Sequence, residues 1–175
     1  RSVSARGGLR RAQIDAAPIA DVTGKHLARQ TMTEVSKTVL VHFSDAQMYD
    51  LVTNVADYPK FLPWCGGVEI RHQDEHSMEA SLIIDFKGLK HSFATRNIQE
   101  RPHSIQMMFV EGPFKRFHGT WKFTALRENA CKIEFGLHYE FANFLLEKVI
   151  GPVFSHIANT FVDAFVKRAE AVYVK

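Results

Sequence analysis

From Val35 the chain alternates: Val35, Lys37, Val39 and Val41 fall on one side of an extended backbone, with Ser36, Thr38 and Leu40 on the other. A period of two predicts a first strand. Ser44 then stands where a helix N-cap belongs. Met48, Leu51, Val52 and Val55 follow at spacings of three and four, so a helix is expected through Val55. Asp57–Pro63 reads as a short proline-bounded turn or helix, and Gly66-Gly67 as a break before the next strand.

Six more strand patterns follow: Val68–His72, Met78–Phe86, Leu89–Gln99, Ser104–Val110, Thr120–Leu126 and Cys131–Phe141. The last is the clearest. Cys131, Ile133, Phe135, Leu137, Tyr139 and Phe141 take one face, and Lys132, Glu134, Gly136, His138 and Glu140 take the other. Turn signals at Asp74–Ser77, Lys87-Gly88, Arg101-Pro102, Gly112-Pro113 and Glu128-Asn129 leave only short connections, which predicts an antiparallel meander. After Asn143, a candidate cap, Leu146, Ile150, Phe154, Ile157, Phe161, Phe165, Ala169 and Val172 descend one face of a long helix. Gly151-Pro152 is expected to kink it or divide it in two. A curved sheet with one apolar face must be covered, and this helix is the element long enough to do it. The fold class is α+β.

Composition adds three points. With 46% hydrophobic and 23% charged residues in 175, the chain has the proportions of one globular domain, and a disordered chain is excluded. Uninterrupted apolar runs such as Leu82-Ile83-Ile84 are short, so no helix is expected to cross a bilayer. Two cysteines, Cys65 and Cys131, are too few for a disulfide framework, and free thiols or a single bridge remain the alternatives.

Charge and aromatic content divide the chain. All 14 Phe, 4 Tyr and 2 Trp lie at or after Phe43. Residues 1–31 carry a balance of +4 within a total of +3, so the rest is −1 and near neutral. That argues against a surface basic all over, and no DNA partner is expected. Arg1–Arg11 has the loose look of a transit peptide. However, Asp15 and Asp21 follow, and Met32 stands just ahead of the first strand. Residues 1–31 are read as a disordered or non-native extension, with a targeting segment or a functional arm as alternatives, and residues 32–175 as the domain.

Certain residues go further. Tyr58-Pro59-Lys60-Phe61-Leu62-Pro63-Trp64-Cys65, Phe93, Thr95 and Arg96, and Glu111-Gly112-Pro113-Phe114-Lys115 with Gly119, Trp121 and Phe123, resemble the START-like (helix-grip) superfamily. Within it they are similar to the coenzyme-Q-binding and polyketide-cyclase-like branch, which includes bacterial ribosome-association toxins. The resemblance covers Met32 to Tyr173. It implies a curved antiparallel sheet wrapped around a long C-terminal helix, with a cavity between them for a lipophilic ligand. Ubiquinone is the ligand it points to most directly, held by a carrier or chaperone for respiration rather than an enzyme. It implies no cofactor. Phe61, Trp64, Phe86, Phe93, Phe109, Phe114, Trp121, Phe123, Phe135, Phe154, Ile157 and Phe161 are the candidate lining; the alternative is that they simply fill the core. The implied location is the bacterial cytoplasm, or the periphery of the inner membrane, with a mitochondrial location as the alternative.

A second reading is a protein that binds the large ribosomal subunit and blocks subunit association. Glu111–Phe117 is expected to link two strands and to present Lys115, Arg116 and Phe117 to a membrane or to RNA. Its alternative is an ordinary hairpin loop. Seven basic residues between Lys87 and Lys122 against Glu100 and Glu111 give a local +5, which suits either anionic partner. Catalytic and metal patterns are weak. His72 and His76 lie four apart in extended chain, where that spacing does not converge on one metal. Asp85 and His91 are the kind of residues that could serve as an acid–base pair, but Asp85 lies out of phase with Leu82, Ile84 and Phe86.

Overall fold

The computed structural model describes residues 32–175, and the expectations for residues 1–31 lie outside the described residues. The first alternation becomes β1 (Thr33–Val41), with Val35 and Val41 buried and Leu40 exposed. Ser44 caps α1 (Asp45–Thr53): its hydroxyl accepts from the Gln47 amide while the Gln47 side chain accepts from the Ser44 amide. This reciprocal pair satisfies two N–H groups that a helix start leaves free. The helix stops at Thr53, short of Val55, which falls instead in a 3-10 turn over Val55–Asp57. One turn of helix, α2 (Tyr58–Phe61), follows with Pro59 in its opening positions.

Six strands then run in succession: β2 (Cys65–Gln73), β3 (Ser77–Phe86), β4 (Leu89–Glu100), β5 (Ser104–Glu111), β6 (Phe114–Arg127) and β7 (Ala130–Phe141). All pairings are antiparallel, in the order β1-β7-β6-β5-β4-β3-β2, so the first strand closes onto the last. Gly66 and Gly67 do not break the chain before β2; they belong to it, at a bulge between Cys65 and Gly67. A Cβ on Gly66 would lie 2.7 Å from that of Asp85, so the missing side chain lets the two strands approach.

The largest departure is in β6, which begins at Phe114 rather than Thr120. Only Gly112-Pro113 separates it from β5. Gly112 has φ of +139° and its absent Cβ would sit 2.6 Å from that of Phe93, which makes glycine the residue for this turn. Phe114 pairs with Phe141 and Arg116 with Glu140, so Lys115 is the extra residue of a bulge. That bulge points Phe114 and Phe117 inward together and leaves Lys115 and Arg116 outside.

The chain ends in α3 (Phe144–Tyr173), capped by the Asn143 side chain accepting from the Leu146 amide at 2.9 Å. It is not divided: one helix of 30 residues runs through Pro152. Pro152 is exposed, so the Lys148 carbonyl that loses its partner lies where water serves it. Ile150, Phe154, Ile157, Val162 and Phe165 are buried against the sheet. Run length misjudges this helix. With mean hydropathy 1.3 over 18 residues, α3 is long and apolar enough by composition to cross a membrane.

Cys65 and Cys131 are both buried and unpaired, which removes the single-bridge alternative. Burial pushes the Cys131 thiol up to about 11 and raises that of Cys65 as well. The thiolate is the reactive form. Neither residue should react with a thiol reagent at pH 8 in the native protein, and both should react in denaturant. Rapid native labelling of Cys131 would contradict this packing.

Candidate functional site

Burial of the sheet's apolar face under α3 leaves most of the enclosed space filled by interlocked rings. Phe154 meets Phe114 at 4.9 Å and Tyr139 at 4.7 Å between centroids; Trp121 meets Phe135 at 4.7 Å, and Phe161 meets Phe165 at 5.1 Å. Between these two clusters remains a pocket of about 60 Å³. Phe93, Phe117, Phe135, Phe154, Ile157 and Phe161 line it, together with Val55, Tyr58, Ala80, Leu82, Met107, Leu137 and Ala158. Its polar wall is Thr95 and Asn97, on the face of β4 that also carries Phe93.

The candidate lining is therefore dispersed. Phe93, Phe135, Phe154, Ile157 and Phe161 meet at the pocket. Phe114, Trp121 and Phe123 lie in the packed core, each under 5% exposed. Phe61, Trp64 and Phe86 line a separate groove of about 500 Å³ along the outer flank of α3, with His156, Lys167 and Arg168. The His156 ring stacks on Phe86, and the Arg168 guanidinium lies over Phe61 at 5.2 Å. Trp64, on the groove side, touches Phe161, on the pocket side, at 6.1 Å. Phe109 lies apart, in a shallow depression with Lys115, Arg116, His118 and His138. Phe117 belongs to pocket and depression alike, so its ring is not a free surface contact.

The sequence pattern did not single out Tyr58, Thr95, Asn97 or Met107 for the pocket. The signal for Thr95 and Asn97 was their shared parity with Phe93, an apolar neighbour on the same side of the strand.

No lining residue carries a charge. Tyr58 donates its hydroxyl to the Val52 carbonyl at 2.6 Å, and burial holds its pKa far above the usual phenol range, so it stays neutral. Such a wall accepts an apolar, uncharged molecule and penalises an ionised one, which would lose its hydration without a counter-charge. No acid–base pair serves it. Asp85 pairs with Lys90 and His91 with Ile84, so those two side chains leave opposite faces of the sheet. Among the described residues no group of three or more His, Cys, Asp or Glu is placed to hold a metal ion.

The basic run from Lys87 to Lys122 is not one patch. Arg96 is forked onto Glu79 and Arg101 onto Asp50, with closest contacts of 2.8 Å. Lys115 and Arg116 both stand 3.8 Å from the Glu140 carboxylate, which is itself largely buried. Their net surplus is one positive charge.

Residues 41–166 match the family described as polyketide cyclase / dehydrase and lipid transport. The ribosome association toxin RatA of Escherichia coli (strain K12) is 44% identical over 142 residues, covering 81% of this chain and 90% of that protein. The mitochondrial coenzyme Q-binding protein COQ10 homolog B of Xenopus laevis is 25% identical over 144 residues, covering 80% of this chain and 59% of that protein. Among solved structures, the Zhui aromatase/cyclase from Streptomyces sp. R1128 shares the fold with a TM-score of 0.66 at 19% identity, covering 80% of this chain and 94% of that one.

Proposed function

The chain belongs to the polyketide cyclase / dehydrase and lipid transport family, and from that membership we propose that residues 32–175 bind a neutral lipophilic molecule and carry it without chemical change. The observation that carries this reading is the uncharged, almost wholly apolar pocket between the sheet and α3. An isoprenoid quinone such as ubiquinone is the ligand we favour; the likeness to a protein named as coenzyme Q-binding supports it. Size sets the binding mode. A pocket of about 60 Å³ is well below the roughly 300–1,000 Å³ of ordinary ligand sites. It takes part of a ring, and the tail belongs in the groove lined by Phe61, Trp64 and Phe86. Phe161 and Trp64 stand between the two, so their rings must part for one ligand to occupy both. Each Å² of tail buried there adds about 25 cal/mol. Organic extraction of the purified protein followed by mass spectrometry should recover a neutral lipophile in near-equimolar amount. An empty extract from protein prepared without detergent counts against the reading.

A second reading is association with the large ribosomal subunit, favoured by the 44% identity to a protein named as a ribosome association toxin. The two readings use different surfaces and both fit a bacterial cytoplasmic location, with the inner-membrane periphery added for the first. Lys115 and Arg116, outside the pocket on the β6 bulge, are the contacts we assign to an anionic partner, RNA or lipid. Replacing both by Gln should weaken that association roughly ten- to a hundredfold, on the scale of about 1 kcal/mol per charge. Co-sedimentation with ribosomal subunits and with anionic liposomes decides which partner it is. Glu140→Gln in the same background controls for the carboxylate left without its two cations. Unchanged sedimentation in both assays would remove these residues from any contact.

A further inference from the structure

The first turns of α3 hold large apolar side chains out in water. Six such side chains are more than half exposed among the described residues, and three of them sit together here: Phe144 at 57%, Leu145 at 69% and Val149 at 53%. Exposed Pro152 continues the row. Leu145, Val149, Pro152 and His156 follow at spacings of four, three and four, so they share one stripe of the helix. His156 lines the groove of Phe61, Trp64 and Phe86, and the stripe therefore runs from the helix start into that groove. Only 33% of the 18-residue window that gives α3 its hydropathy of 1.3 is buried. A contiguous apolar patch of this kind marks a contact surface.

Charge follows the same geometry. The β3–β4, β5–β6 and β7–α3 connections close at one end of the antiparallel sheet, where the Ala142 amide donates to the Pro113 carbonyl at 2.8 Å. Phe86, beside Lys87, stacks on His156, so the β3–β4 hairpin also lies against α3. This end carries Lys87, Lys115, Arg116 and Lys148 against Glu140 and Glu147, a surplus of two positive charges. Asp85 stands opposite Lys90, and Glu111 is taken by Arg71. The connections at the far end carry Asp74, Glu75, Arg101 and Glu128, a balance of −2. The domain is polarised along its length, and an anionic surface draws the patch end towards itself.

We propose that Phe144, Leu145 and Val149 form a wedge that enters the acyl boundary of an anionic bilayer, while Lys115, Arg116 and Lys148 meet its phosphates. The inference rests on the carrier reading for its purpose: the stripe through Pro152 to His156 leads a lipophile from bilayer to groove. It also commits the partner of Lys115 and Arg116 to lipid. RNA phosphates would satisfy the cations but leave Leu145 and Val149 in water. Four side chains fall well short of the about 800 Å² per partner that a stable protein interface buries, which speaks against a second copy. A bilayer takes both parts at once, apolar area in the acyl boundary and charge at the headgroups.

The test uses the full chain and vesicles of phosphatidylcholine with or without phosphatidylglycerol. An environment-sensitive fluorophore is attached at Leu145→Cys, or at Leu126→Cys near the opposite end; both native thiols are buried. Anionic vesicles should shift the Leu145→Cys emission to the blue and at least double its intensity, and leave the Leu126→Cys emission unchanged. Leu145→Ser with Val149→Ser should weaken vesicle binding roughly tenfold or more, since both apolar areas leave the interface. The same pair should keep the melting temperature and the affinity for a decyl-substituted para-benzoquinone, because neither side chain packs in the core. A shift at Leu126→Cys, or a Leu145→Cys shift that appears without vesicles as protein concentration rises, overturns the wedge. So does a double variant that keeps vesicle binding, or that loses ribosomal co-sedimentation instead. No vesicle binding alongside intact quinone binding overturns the wedge and leaves the pocket reading standing. Insertion without any quinone binding overturns the carrier reading, and the route with it, while the wedge stands.

Discussion

Trp121→Ala should lower the free energy of unfolding by about 3–5 kcal/mol, the largest stability loss expected of any single truncation in this domain. The indole is 1% exposed and lies where the sheet and α3 meet, stacked on Phe123 and in contact with Phe135, Phe161 and Phe165 at 4.7 to 5.7 Å. Its removal opens a void against Phe135 and Phe165, which are fully packed on their other sides, so collapse refills little of the space. Its Nε1 has no hydrogen-bond partner among the described residues, so almost all of the loss is packing rather than hydrogen bonding. Urea denaturation should show the loss as a lower midpoint with an unchanged slope. A loss under about 1 kcal/mol would mean the two layers are not joined there.

Phe161→Trp should reduce retention of the bound lipophile at least tenfold with little loss of stability. Phe161 is only half-buried, and its ring faces the pocket, so the larger indole grows into a space of about 60 Å³ rather than into packed core. Overpacking costs about 1–3 kcal/mol when it falls on rigid neighbours and less when it falls on a void. The same space is then lost to ligand. Phe161→Leu works the other way, joining pocket to groove and raising both the rate and the extent of uptake. Equal retention by both variants would place the ligand elsewhere.

The two residues also mark what the chain's pattern reveals and what it hides. Strand β7 was legible because its apolar positions alternate without a slip, and α1 because Ser44 and Gln47 carry the cap locally. The family resemblance supplied the wrapping of the sheet around α3. The start of β6 was not legible. A bulge at Lys115 sets Phe114 and Phe117 three apart on one face, a spacing that breaks the period of two and reads as loop. The basic run misled for another reason. The carboxylates that answer Arg96, Arg101 and Lys115 are Glu79, Asp50 and Glu140, and only the fold brings them near. The candidate lining was half legible: parity tells which rings face inward, but not which of them close on one another and which leave a gap. Hence Phe114, Trp121 and Phe123 fill the core while Thr95 and Asn97 wall the pocket.

The central claim is that the space between the sheet and α3 receives a neutral lipophile. Methyl-resolved NMR of the protein titrated with a decyl-substituted para-benzoquinone addresses it at single residues. Saturable shifts should concentrate at Ala80, Leu82, Leu137, Ile157 and Ala158, which line the pocket, and leave the exposed Leu40, Leu126 and Val149 unmoved. Shifts confined to those exposed methyls, or none at any probe concentration, would contradict the account.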